Sequence, residues 1–133
     1  MKQEEIATPN APSGRSYSQA VAVGDFVFVA GTAGTDMATG AFPDGIVAQM
    51  EQALKSVAEV LSAADCRLED VVKITTFITP EAYATDEQAT LAEDVYMRAF
   101  PGAPKPVRSS PRAALPIPQA LISIEAIAVR PRS

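Results

Sequence analysis

The chain has no histidine, no tryptophan and one cysteine, Cys66. Without histidine, neither Ser-His-Asp nor Cys-His nucleophilic machinery can be assembled. Nearly all zinc, haem and iron–sulfur sites are excluded as well, because they draw several ligands from His and Cys. A lone cysteine forms no disulfide within one chain. A carboxylate-only Mg²⁺ site stays open, but no acidic cluster asks for one. Any catalysis falls to Arg, Lys, Glu, Asp, Tyr, Ser, backbone groups and water. Aromatic residues are only 6% of the chain, so the core must be built mainly from Ala, Val, Ile and Leu. No apolar run approaches the roughly 18 residues of a membrane span. The opening MKQEEIATPN lacks the apolar stretch of a secretory signal. The expectation is a cytoplasmic protein with no membrane partner.

What is present fits a core-forming chain. The 133 residues are 47% hydrophobic and 20% charged, which predicts one domain over residues 1–133. The net charge of −5 argues against nucleic acid as a partner. That charge is unevenly spread. Residues 1–97 carry five Lys/Arg and fifteen Asp/Glu, whereas residues 98–133 carry six and one. The basic set is Arg98, Lys105, Arg108, Arg112, Arg130 and Arg132. It serves either for internal pairing with the acidic part or for an anion pocket built by the C-terminal third.

Local patterns set the element order. Residues 1–16, with Pro9, Pro12 and Gly14, read as an irregular lead-in. Tyr17–Val23 and Phe26–Ala30 are β-favouring runs joined by Gly24-Asp25, the signature of a hairpin. Gly31–Gly45 reads as a loop. Ile46, Met50, Ala53, Leu54, Val57, Val60, Leu61 and Ala64 recur at helical spacing, which predicts a helix capped by Asp44. Asp70–Thr79 is β-branched and aromatic, hence a strand. Glu87–Phe100 reads as a second helix with Leu91, Val95 or Tyr96, and Ala99 inward; Pro101 stops it. Six prolines mark Pro101–Pro118, within which Val107–Ala114 fits a short edge strand. Leu121–Val129 is the last strand. The order β-β-α-β-α-β-β is an α+β fold with helices on one sheet face.

The last strand carries a further inference. Alternation places Ser123 and Glu125 on one face with Leu121, Ile127 and Val129, and Ile122, Ile124, Ala126 and Ala128 on the other. Two apolar faces require cover on both sides, and two helices cover only one. An oligomer is therefore expected.

Five blocks, taken together, are similar to successive signatures of the RidA/YjgF family. They are Tyr17-Ser18-Gln19-Ala20-Val21, Val27-Phe28-Val29-Ala30-Gly31, Leu68-Glu69-Asp70-Val71-Val72-Lys73, Pro106-Val107-Arg108-Ser109-Ser110 and Ile124-Glu125-Ala126-Ile127-Ala128-Val129. The resemblance implies a chorismate-mutase-like fold and a homotrimer with a barrel of sheets inside and helices outside. It also implies pockets at the subunit clefts and no cofactor. The activity it implies is hydrolysis of reactive enamines and imines to a 2-keto acid and ammonia.

The resemblance carries over to single residues. Arg108 matches the arginine that grips the substrate carboxylate, a task suited to the paired N–H donors of a guanidinium. Its plainer alternative is an ion pair with a helix acid. Tyr17 matches a pocket tyrosine that orients substrate or water. Gly31 allows close approach beside the ligand. Ser110 matches a position where Cys, Ser or Thr meets the ligand. The last strand departs from the family pattern. Deaminating members begin it Glu-x-Glu, and here Ser123 stands at the first position with only Glu125 retained. Glu93 stands where the family often has Asn. It is a candidate for a new carboxylate near the pocket. Losing a water-positioning carboxylate removes a general-base factor of roughly 10²–10⁴.

The catalytic candidates are thus Arg108, Tyr17 and Glu125, and the substrate-binding candidates Arg108, Tyr17, Gly31, Ser110, Ser123 and Glu93. The partner expected is a small carboxylate metabolite. The alternatives are a non-catalytic binder or sensor of 2-keto acids and, disfavoured by charge, a ribonuclease or translation inhibitor. Cys66, preceded by Asp65 in a candidate left-handed helix cap, reads as an inert free cysteine; the alternative is a thiol whose pKa is mildly lowered by the adjacent Arg67.

Overall fold

The computed structural model describes residues 1–131, so Arg132 lies outside the described residues. Its centre is one six-stranded sheet ordered β1-β2-β3-β6-β4-β5. The strands are β1 (Gln3–Ile6), β2 (Ala20–Val23), β3 (Phe26–Ala33), β4 (Val71–Ile78), β5 (Val107–Ser109) and β6 (Ile122–Val129). The helices are α1 (Ile46–Ala63) and α2 (Asp86–Ala99). The class is α+β, as expected, with one strand more than the sequence pattern provides.

That extra strand corrects the irregular lead-in. Gln3–Ile6 pairs antiparallel with β2. Its sequence QEEI has no apolar alternation, and only Ile6 is buried. Exposed carboxylates on an edge strand discourage pairing with another chain. Gly24, at φ 59°, makes the predicted turn between β2 and β3. β3 continues past Ala30 through Ala33, so the predicted loop begins later, and a register shift falls between Val29 and Thr32. β3 and β4 both run antiparallel to β6, which lies between them, and β5 runs parallel to β4. Each helix is therefore the crossover between two parallel strands.

Helix α1 buries its predicted stripe against β3 and β6, with Met50, Ala53, Val57 and Leu61 fully enclosed. The cap differs from expectation: Gly45 at φ 84° occupies the N-cap, and Asp44 sits one residue too early to cap. At the other end Asp65 adopts φ 61°, as anticipated. Cys66 N–H then donates to Leu61 O (2.8 Å) and Asp65 N–H to Ser62 O (3.1 Å), closing the last turn. Cys66 is buried, and burial pushes its thiol pKa up, with Asp70 adding to the effect. The expectation of a lowered value is overturned, because the neighbouring Arg67 points outward to Glu69 instead.

Helix α2 starts at Thr85, whose hydroxyl accepts from Gln88 N–H (3.1 Å). Its buried face is Ala92, Val95 and Tyr96. Leu91 is exposed, contrary to the inward face assigned to it. The helix is rotated by about one residue because the Tyr96 ring packs on Phe100, 5.0 Å between centroids.

The face of the sheet away from the helices is open in the single chain. Phe26 and Phe28 on β3 are exposed there, whereas Ile122, Ile124, Ala126 and Ala128 of β6 pack under the helices. The alternation predicted for β6 is the one observed.

Candidate functional site

Arg108 is placed by β5, where it lies in register with Ile74 of β4. Three residues of edge strand fix a backbone loosely, and the side chain is held by its neighbours. Nε–H and an Nη2–H donate to Thr76 Oγ1 at 3.2 and 3.0 Å. Nη1–H and the second Nη2–H donate to the two carboxylate oxygens of Glu93 at 2.8 and 2.9 Å. The guanidinium carbon lies 3.8 Å from the centroid of the Tyr96 ring, a stacked cation–π contact. The Thr76 hydroxyl in turn donates a hydrogen bond to Ser110 Oγ (3.0 Å). Arg108, Glu93 and Ser110 thus form one cluster on the helix side of the sheet, joined through Thr76.

The electrostatics follow from this packing. The hydrogen bonds from Arg108 hold the Glu93 carboxyl below the usual carboxylate range, against a smaller opposing effect of burial. Burial works against the Arg108 charge, but the hydrogen bonds and charge of Glu93 outweigh it and raise its pKa further. Tyr83 O–H donates to Glu93 Oε1 (3.3 Å), and the Arg112 guanidinium lies 4.7 Å from the Tyr83 ring. Burial, then the Glu93 charge, raises the Tyr83 pKa. The plainer alternative for Arg108, pairing with a helix acid, is what the single chain shows.

Tyr17, Gly31 and Ser123 meet elsewhere, in a cleft of about 480 Å³ walled by Ala30, Phe42, Leu115, Ile117 and Ala120. A Cβ at Gly31 would lie 2.8 Å from Ser123 Oγ, so any larger residue there would force the Ser123 hydroxyl to turn away. A Cβ at Gly14 would lie 2.2 Å from the Tyr17 ring, which rests directly on that backbone. Tyr17 is half exposed, and among the described residues its hydroxyl has no hydrogen-bond partner.

Two buried glutamines that sequence reasoning missed shape this cleft. Gln19 Nε2 reaches the carbonyls of Thr8, Ala11 and Pro12 (2.9–3.0 Å) and so pins the segment before Tyr17. Gln49 Nε2 reaches the carbonyls of Pro43 and Gln119 (3.0 Å each), and its Oε1 accepts from Leu121 N–H (2.8 Å). Gln19 lies in a quoted motif, but nothing in its spacing signals the contact.

Glu125 stands apart from both groups. It is exposed on the open face and lines a hollow of about 200 Å³ with Phe28, Lys73, Thr75 and Ile127. The structure therefore distributes the candidates over three places: Arg108, Ser110 and Glu93; Tyr17, Gly31 and Ser123; and Glu125. The first group faces the helices, and Ser123 and Glu125 face the open side.

A family model described as endoribonuclease L-PSP matches residues 8–130. The chain belongs to this family, also known as RidA/YjgF. Among RidA/YjgF relatives, the chain is 34% identical over 127 residues to a Mus musculus protein named 2-iminobutanoate/2-iminopropanoate deaminase, covering 94% of this chain and 90% of that one. It is 36% identical over 131 residues to Reactive Intermediate Deaminase A, chloroplastic, of Arabidopsis thaliana, covering 96% of this chain and 66% of that one. The crystal structure of E. coli TdcF with bound serine superposes with a TM-score of 0.84 at 32% identity, covering 96% and 99% of the two chains. The α+β architecture is thus that of RidA/YjgF proteins. No helix among the described residues is long and apolar enough to cross a membrane.

Proposed function

We propose that this RidA/YjgF protein hydrolyses a reactive 2-imino or enamine carboxylic acid to the 2-keto acid and ammonia. The observation that carries the reading is similarity along nearly the whole chain to proteins named 2-iminobutanoate/2-iminopropanoate deaminase. An enamine first becomes the imine by gaining a proton at its β-carbon and losing one from nitrogen; water then adds to the C=N carbon, the carbinolamine loses its C–N bond, and ammonia leaves, with no redox step. Arg108 holds the substrate carboxylate, since a guanidinium offers it two parallel donors. Tyr17 orients the water through its unengaged hydroxyl, with Gly31 and Ser123 shaping the space beside it and Ser110 positioning Arg108 through Thr76. Glu125 supplies the remaining carboxylate of the open face.

The two main groups lie apart in one chain, and the proposal completes the site between copies. A homotrimer packed through the open faces would cover Phe26 and Phe28. It would bring the Arg108 edge of one protomer to the Tyr17 cleft of its partner. The net charge of −5 weighs against ribonuclease action, because phosphate binding calls for cationic surface.

The test generates 2-imino acids in situ with an amino-acid oxidase and traps survivors with semicarbazide. Adduct should fall with the wild-type protein for some side chains and recover with Arg108→Ala. No change across small, aliphatic, aromatic and acidic substrates would overturn the deaminase reading. A second reading, a non-catalytic binder of 2-keto acids, is favoured by Ser123 at the position of the expected carboxylate; it predicts binding of a 2-keto acid with no turnover.

A further inference from the structure

A guanidinium presents five N–H donors in a plane, and a carboxylate docks on two adjacent ones. On Arg108 both usable edges are taken. Thr76 accepts from the edge formed by Nε and Nη2. The Glu93 carboxylate covers the edge formed by Nη1 and Nη2, bonded through both oxygens. One Nη1 proton is left over, and a single proton cannot form the two parallel bonds of a carboxylate fork. The Arg108 side chain is only 19% exposed, so solvent offers no alternative edge. The position that a substrate acid needs is held by an acid of the chain itself.

We infer that Glu93 is a built-in competitor for the substrate carboxylate, a specificity-determining residue that acts through Arg108 and screens small monocarboxylates out of the site. The inference rests on the proposed role of Arg108 in carboxylate binding and adds the condition under which that role operates. An incoming acid must displace Glu93, so ligands with a carboxylate and little else to bind are disfavoured. Substrates whose remaining groups contribute binding of their own are selected.

Three features make displacement feasible without collapse. Thr76 and Tyr96 hold the guanidinium from other directions, so it stays in place when Glu93 leaves. Glu93 is the more exposed partner, with 39% of its side chain open to solvent. The released carboxylate keeps a neighbour in the Tyr83 hydroxyl, with Arg112 stacked beyond it. Glu93 is therefore a positioning residue whose effect on ligand is indirect.

The test is calorimetric titration of 2-oxobutanoate into wild type, Glu93→Gln, Glu93→Ala, Arg108→Ala and Glu93→Gln/Arg108→Ala. Glu93→Gln should bind about 10-fold more tightly than wild type, a gain of about 1.4 kcal/mol. The neutral 2-oxobutanamide should show no such gain. The improvement should vanish in the Arg108→Ala background, which a general loosening of the fold would not produce. In the imine assay KM should fall. If Glu93→Gln does not fold, Glu93→Ala carries the same comparison. Equal or weaker binding by the folded variants, or no binding by any of them, overturns the competitor. The deaminase reading is judged separately, by whether wild-type turnover depends on Arg108.

Discussion

The Arg108 cluster and the Tyr17 cleft differ in nearly every physical respect. Around Arg108 the polar atoms are matched to one another, and the charges sit half-buried in a network reaching from Ser110 to Tyr83. Around Tyr17 the walls are apolar, a hydroxyl stands unengaged, and glycine backbone substitutes for side chains. A saturated cluster holds its side chains in fixed positions, with few donors left free. An unsaturated cleft leaves room and a free hydroxyl but supplies little proton-transfer chemistry of its own. Under the proposed function, binding and reaction draw on groups from opposite sides of one sheet.

Breaking the anchor should give the largest effect. Arg108→Ala is expected to lower kcat/KM for imino acids by about 100-fold or more, a loss in keeping with a charge-assisted bidentate contact plus lost positioning. Initial rates by semicarbazide trapping would show it. A mutant within threefold of wild type would place carboxylate binding elsewhere.

The cleft offers the converse experiment. Ser123→Glu restores a carboxylate on the wall of the cleft that Tyr17 and Gly31 also line. It should raise kcat by about 10-fold, a fraction of the usual general-base factor. An unchanged kcat would show that proton transfer does not limit this site.

Thr76→Val sharpens the contrast on a smaller scale. It removes the acceptor for two Arg108 donors while keeping shape and burial. Thermal unfolding should show a loss of about 1–3 kcal/mol. KM should rise with kcat nearly constant, since the anchor loosens and the cleft is untouched.

The smallest effect is on pH dependence. Glu93 titrates below the usual carboxylate range because Arg108 hydrogen-bonds its charged form; Arg112 adds to this and burial opposes it. Its contribution to stability is therefore present above the unfolded value and is lost as pH falls through the depressed folded one. The Tm advantage of wild type over Glu93→Gln should shrink below about pH 4. Its size is modest, because the pair is partly open to solvent. A difference constant from pH 7 to pH 3 would contradict the ion pair. The same substitution that tightens ligand binding should thus weaken the fold at neutral pH, a trade-off common at binding sites.

The elements most legible in sequence were those with local signals. The hairpin at Gly24-Asp25 and the stripe of α1 needed only residues near one another in the chain. β1 escaped notice because an acidic edge strand earns its pairing from β2 and not from its own pattern. Leu91 misled the phase of α2, since the ring of Tyr96 takes more burial than an aliphatic side chain five residues earlier. Arg108 and Tyr17 were visible through their motifs. The partners that define what Arg108 can do were not: Thr76 and Glu93 lie 32 and 15 positions away in sequence and meet it only because α2 crosses between β4 and β5.

The brevity of β5 has an evolutionary consequence. A functional arginine in the middle of a long strand inherits its position from many backbone bonds and changes only when the sheet does. Arg108 instead takes its bearings from a handful of side chains contributed by α2 and β4. Such an arrangement lets ligand preference drift without disturbing the architecture. A glutamate codon becomes a glutamine codon by a single base change, so the ligand preference inferred for Glu93 would lie one mutation from its alternative.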